Sequence, residues 1–186
     1  METTMRYAAL LRGVNVGGHG RLPMAELRTL LEGLGYLDVA TYLQSGQAVL
    51  TTDEPDEDAV AARIRDALTK HLGAEIDVMV RGHDYLRAVL DDCPFPAGQG
   101  PGKQFHVAYA SAGLDPSRFE AIDPTAFEPE RFALGDRHIY FWLPDGIGRS
   151  KLATKAVGRR ILGQETWVTV RNWNTAVKLA DLTTEH

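Results

Sequence analysis

Each half of the chain ends in the same way. Residues 78–90 read VMVRGHDYLRAVL and residues 168–180 read VTVRNWNTAVKLA, so Val78, Val80 and Arg81 correspond to Val168, Val170 and Arg171. Both copies are a β-branched run followed by apolar residues at helical spacing, and a repeated ending restricts the chain to architectures made of two similar units.

The segments before each ending repeat as well. In the first half, residues 5–11 predict a strand and residues 23–34 a helix, with Pro23 in the first turn, Leu27, Leu30, Leu31 and Leu34 on one side, and Gly33 and Gly35 at the end. VATYLQ and QAVLTT predict two strands joined at Ser45-Gly46. Residues 53–73 predict a helix with an acidic start and a glycine stop, followed by the strand EIDVMVR and the helix GHDYLRAVLDD. CPFPAGQGPGK is rich in proline and glycine and reads as a connection. After it come a strand (QFHVAYA), a short helix (DPSRFEAI), two strands (ERFALG, RHIYFWL), a helix (GRSKLATKAVGRRILG), a strand (TWVTVR) and a closing helix (NWNTAVKLADL). The expectation is an α+β protein with two ferredoxin-like (βαββαβ) halves in tandem, each followed by a helix: residues 1–92, a linker at 93–103, and residues 104–186.

Composition narrows the setting. An apolar fraction of 44% and a charged fraction of 24% suit a globular chain with a core of its own. Cys93 is the single cysteine, so no internal disulfide forms; the N-terminal stretch has no basic segment followed by a long apolar run, so no signal peptide is expected, and no apolar run reaches membrane length. These features predict a cytoplasmic protein without a membrane partner. The net charge of −5 is unevenly spread, because residues 149–178 hold seven of the twenty Lys and Arg residues and one of the twenty-five Asp and Glu residues. Such asymmetry points to an anionic partner near the C-terminal part, against the alternative of a solvated helix face balancing an acidic body.

Topology then gathers polar loops. In a βαββαβ unit, the loop after the first strand and the turn between the second and third share an end, which pairs RGVNVGG (12–18) with QSGQ (44–47). The exits of the third and fourth strands also share an end, which pairs PDGIGRSK (144–151) with RNWNT (171–175). These four motifs, in this order, resemble those of the domain-of-unknown-function 1697 family of bacterial proteins, over about Met5 to Leu182. The resemblance implies a cytoplasmic α+β protein with two ferredoxin-like halves and no established activity, cofactor or catalytic residue. Gln47 stands where the family usually has asparagine.

The residues themselves suggest an anion site. Ser150 caps a helix by accepting from a backbone N–H, and Arg149 and Lys151 beside it sit at the positive end of the helix dipole, which costs about 0.3–1 kcal/mol per charge unless an anion offsets it. Arg171 is a further donor, Asn172 or Asn174 a cap, and Trp173 a stacking surface. Arg12 and Asn15 form a second wall with Gln44 and Ser45. The ligand expected is a phosphorylated small molecule or a nucleotide. RGVNVGG is neither a Walker loop nor a dinucleotide fingerprint, and the alternative is a loop that only turns the chain. Lys151, Lys155 and Arg159 fall at i, i+4 and i+8, opposite Ala153, Val157 and Ile161.

Two other classes stay open. An enzyme acting on a phosphorylated small molecule, a transferase or hydrolase, needs a base, and Asp145 is the carboxylate near the site. An RNA-binding or protein-interaction module would use the alternation of His138, Tyr140 and Trp142, with Phe105, Val107 and Tyr109 beside it on the next strand. No RNA-recognition signature accompanies that face, and its packing against the other half is the preferred reading. The histidines show no paired metal spacing.

Overall fold

In the computed structural model the described residues are 3–15, 21–43 and 46–185. Their strands are β1 (Met5–Arg12), β2 (Leu37–Tyr42), β3 (Gln47–Thr52), β4 (Asp77–Gly82), β5 (Phe105–Ala110), β6 (Arg131–Leu134), β7 (His138–Trp142) and β8 (Val168–Asn172). The helices are α1 (Met24–Gly33), α2 (Glu57–Leu72), α3 (His83–Asp91), α4 (Pro116–Phe119), α5 (Lys151–Ala156), α6 (Arg159–Leu162) and α7 (Trp173–Leu182). The protein is α+β, with two four-stranded antiparallel sheets of order β2-β3-β1-β4 and β6-β7-β5-β8.

Two compact units result: Met1–Arg87 with Leu179–His186, and Ala88–Lys178. Both divisions fall inside helices, α3 and α7, whereas the proline- and glycine-rich segment at 93–103 lies within the second unit. The end of α7 is tied to the first unit, where the Leu182 carbonyl accepts from Arg6 Nε at 3.0 Å. The end of α3 is tied to the second, where the Val89 carbonyl accepts from the Tyr140 hydroxyl at 2.6 Å.

One face of each sheet packs on its helices. In the first unit Leu27 and Leu31 of α1 and Val60, Ile64 and Leu68 of α2 bury against Tyr7, Ala9, Leu11 and Leu50. In the second, Leu152, Ala153, Ala156 and Ile161 bury against Ala108, Ala110, Ile139 and Phe141. Each such leucine or isoleucine contributes about 1.5–3 kcal/mol on leaving water. The opposite faces are buried as well: Leu10, Val49, Met79 and Arg81 in the first sheet, Val107, Tyr109, His138 and Tyr140 in the second.

Local signals acted as their chemistry dictates. Asp56 caps α2 by accepting from the Asp58 N–H at 2.9 Å, and Gly73 ends it at φ +68°. The helix expected over 148–163 is corrected: Ile147–Arg149 form a 3₁₀ turn, and the helical stretch divides into α5 and α6. Gly158 is extended there (φ −73°, ψ 155°) and opens α6, so the i, i+4, i+8 series is interrupted after Lys155.

Candidate functional site

The site begins with register. Phe105 of β5 pairs with Trp142 of β7, and Trp142 pairs with Arg131 of β6, so the three side chains form one row on one sheet face. The next rungs pair Val107 with Tyr140 and Tyr109 with His138, as the aromatic alternation predicts. Tyr109 and Tyr140 are 0% and 3% exposed, so no nucleic-acid base stacks along this face; only its Trp142 end is partly open.

The 93–104 connection folds across that open end. Two 3₁₀ turns, Ala97–Gln99 and Gly102–Gln104, carry the chain into β5. The Gln104 carbonyl accepts from the Leu143 N–H at 2.7 Å, and its side-chain oxygen accepts from Trp142 Nε1 at 3.4 Å. A methyl group on Gly102 would lie 2.3 Å from Asn174 Oδ1, so glycine is what lets the connection pass the start of α7. Between connection and sheet lies a cleft of about 440 Å³. Phe95, Phe105 and Trp142 supply aromatic surface, Pro96 and Gly100 backbone, Gln99 and Gln104 amides, and Arg131 a cation. The Arg131 guanidinium stands 5.8 Å from the centre of the Trp142 ring, within cation–π range. It is exposed and has no carboxylate partner among the described residues. The arrangement offers a planar group a stacking surface, hydrogen-bonding amides and a forked donor for an oxyanion.

The residues singled out from the sequence have other placements. Ser150 is buried and caps α5 by accepting from the Ala153 N–H at 2.9 Å. Arg149 and Lys151 flank it in solvent, and neither lines the cleft. Arg171 does not line the cleft; it donates to Thr169 Oγ1 at 2.6 Å and to the Val170 carbonyl at 3.0 Å, and burial lowers its pKa. Arg81 makes the matching bond to the Val80 carbonyl at 2.8 Å. Asn172 accepts from the Thr175 N–H at 3.0 Å, which satisfies the start of α7. Trp173 is half-buried and outside the cleft, which Trp142 lines. Asp145 is exposed and does not line the cleft.

In the first unit Gly46 of the β2–β3 turn meets the end of β1, as its carbonyl accepts from the Leu11 N–H at 2.8 Å. The polar groups there, however, serve the fold. Arg12 forms an ion pair with Asp77, its partner across the β1–β4 rung. The Asn15 amide both donates to and accepts from the Leu22 backbone, each at 2.8 Å, and so clamps the loop. The Gln47 amide donates to the Tyr42 carbonyl within the β2–β3 hairpin. Gln44 and Ser45 lie outside the described residues.

The connection's contribution was missed because it has no periodicity. The legible signals were Phe95 within a proline-rich run and the alternation that brings Trp142 beside Phe105.

Two antiparallel sheets and a small cleft define an α+β protein with a candidate ligand site. The model of the family described as "Protein of unknown function (DUF1697)" matches residues 5–140, and the chain belongs to that family. A solved structure of the conserved bacterial protein SP0830 from Streptococcus pneumoniae is similar, with a TM-score of 0.68 at 21% identity over 98% of this chain and 100% of that one. That likeness concerns the fold. No curated protein matches the chain. No helix among the described residues is long and apolar enough to cross a membrane.

Proposed function

We propose that the protein binds a nucleotide, or another ring-bearing phosphorylated small molecule, in the cleft of the second unit. The carrying observation is the row Phe105–Trp142–Arg131, which sets aromatic surface beside a cation without an ion-pair partner in a cleft of about 440 Å³. A volume in the range of about 300–1,000 Å³ suits a small ligand. In this reading the ring lies on Trp142, the amides of Gln99 and Gln104 meet its polar edge, and Arg131 leaves Trp142 to take the phosphate. Arg149 and Lys151 follow β7 at the same sheet end and add positive potential without touching the ligand. Among the described residues the lining holds no carboxylate, histidine or thiol, which favours binding over turnover. We read the two halves as duplicated ferredoxin-like units, on the support of their matching strand orders and of the matching Arg81 and Arg171 bonds.

The test is titration calorimetry of nucleoside monophosphates, sugar phosphates and inorganic phosphate against the intact protein. A nucleotide should bind. Arg131→Ala should weaken binding at least tenfold, about 1.4 kcal/mol, and Trp142→Ala more, with Trp142→Phe retaining most of the affinity. No binding by any member of the panel, or equal binding by the wild type and both alanine variants, overturns the reading.

A further inference from the structure

The segment from Arg149 to Arg160 carries a second feature, separate from the cleft. Arg149, Lys151, Lys155, Arg159 and Arg160 are all exposed, and none has an ion-pair partner among the described residues. Arg118 brings another cation to the segment by donating to the Ile161 carbonyl at 3.4 Å. Two exposed carboxylates, Asp115 and Asp123, accept from the backbone and hydroxyls of Ser117 and Thr125, and each also feels one cation of this surface, Arg118 and Lys155 respectively, without forming an ion pair. Lys155 stands 5.9 Å from the Phe127 ring, which holds its stem near the surface.

We propose that this segment is a docking surface for the phosphodiester backbone of a single-stranded nucleic acid. Charge complementarity carries the choice. A quarter of the chain's twenty basic residues sit in twelve positions of a protein whose net charge is −5, so the positive potential is local and the remaining surface repels polyanions. Lys151 and Lys155 rise about 6 Å apart on one side of α5, a step comparable to successive phosphates of an extended strand. Arginine supplies three of the five cations, and its fork fits phosphate oxygens. A lipid surface fits less well: within the segment Leu152, Ala153 and Ala156 are at most 3% exposed and Val157 is half-buried, which leaves little apolar surface to enter a bilayer. An acidic peptide fits less well too, because the segment presents no apolar pocket to anchor one.

The experiment is fluorescence anisotropy with labelled 20-nucleotide single-stranded RNA and DNA, in separate arms, between 50 and 200 mM salt. At least one strand should bind, with log affinity falling at a slope of about −2 to −3.5 against log salt for three to five phosphates neutralised. Lys151→Glu/Arg159→Glu/Arg160→Glu should weaken it at least tenfold, while the matched reversal Arg28→Glu/Arg65→Glu/Lys70→Glu, on α1 and α2, should change it less than threefold; circular dichroism should show both folded. The RNA and DNA arms tell which backbone is preferred. Absence of binding to either strand at 50 mM salt, an equal loss in the two triple variants, or tighter binding to phosphatidylserine vesicles or a polyglutamate peptide overturns the proposal. Trp142→Ala, which empties the cleft, should leave this binding intact, so failure here is distinct from failure of the nucleotide reading.

Discussion

Arg12 and Arg149 carry the same group into opposite circumstances. Arg12 ends a strand and faces Asp77 on the adjacent strand, so the register supplies its counter-charge. Arg149 ends a 3₁₀ turn, where no strand runs opposite, and it stays in solvent. The contrast extends to the amides. Asn15 and Gln47 in the first unit close a loop and a hairpin, whereas Gln104 in the second makes its bonds at the rim of a cleft that stays open. Two units with the same strand order thus differ at their polar ends: both use polar groups to hold turns and caps, and the second in addition leaves Arg149 and the rim of a cleft exposed.

The sharpest way to break this comparison is Gly46→Ala. Gly46 has φ +84°, and a methyl group there would meet Val14 Cγ2 at 2.4 Å and Leu11 Cβ at 3.2 Å. Strain and overpacking together should lower stability by about 3 kcal/mol, read by chemical denaturation. An effect under about 1 kcal/mol would mean that the first unit's polar end is looser than described.

Acid comes next in size and should single out the second unit. Burial moves the His138 pKa from 6.5 to about 4; Asp136 and Asp92 pull it up, and Arg137 pushes it down. Burial also lowers that of His106. A lowered histidine pKa means that the unfolded chain binds the proton first. The stability contribution is therefore complete above about pH 6.5 and is lost as pH falls toward 4, by up to about 3 kcal/mol for His138. Hydrogen exchange at pH 7 and 4.5 should show protection falling in β5 to β8 more than in β1 to β4. His138→Phe should reduce the difference, and an equal loss in both sheets would remove this distinction between the units.

The smallest effects compare polar groups directly. Asn15→Ala, which frees both backbone groups of the buried Leu22, should destabilise by about 2 kcal/mol. Ser150→Ala, which removes one cap bond, should cost about 1 kcal/mol. Lys151→Ala, at an exposed side chain with no ion-pair partner among the described residues, should fall within about 0.5 kcal/mol. If the order of the three melting temperatures is reversed, the second unit's polar end is structural and the contrast fails.

The repeated ending at 78–90 and 168–180, the alternation in β7, the acidic start of α2 and the cap at Ser150 were written in the sequence alone. They depend on neighbours a few residues away, through side-chain periodicity and short-range hydrogen bonds. The approach of Gly46 to the end of β1 was legible too, because antiparallel topology puts those ends together. The fates of Arg12, Arg171 and Trp142 were decided only in three dimensions. A guanidinium becomes ligand donor or structural pin according to which strand lies beside it, and that pairing is set by contacts up to 65 residues apart, as between Arg12 and Asp77. The cleft followed the same rule, since the 93–104 connection has no period to read and takes its shape from packing on the end of a sheet formed after it in the chain.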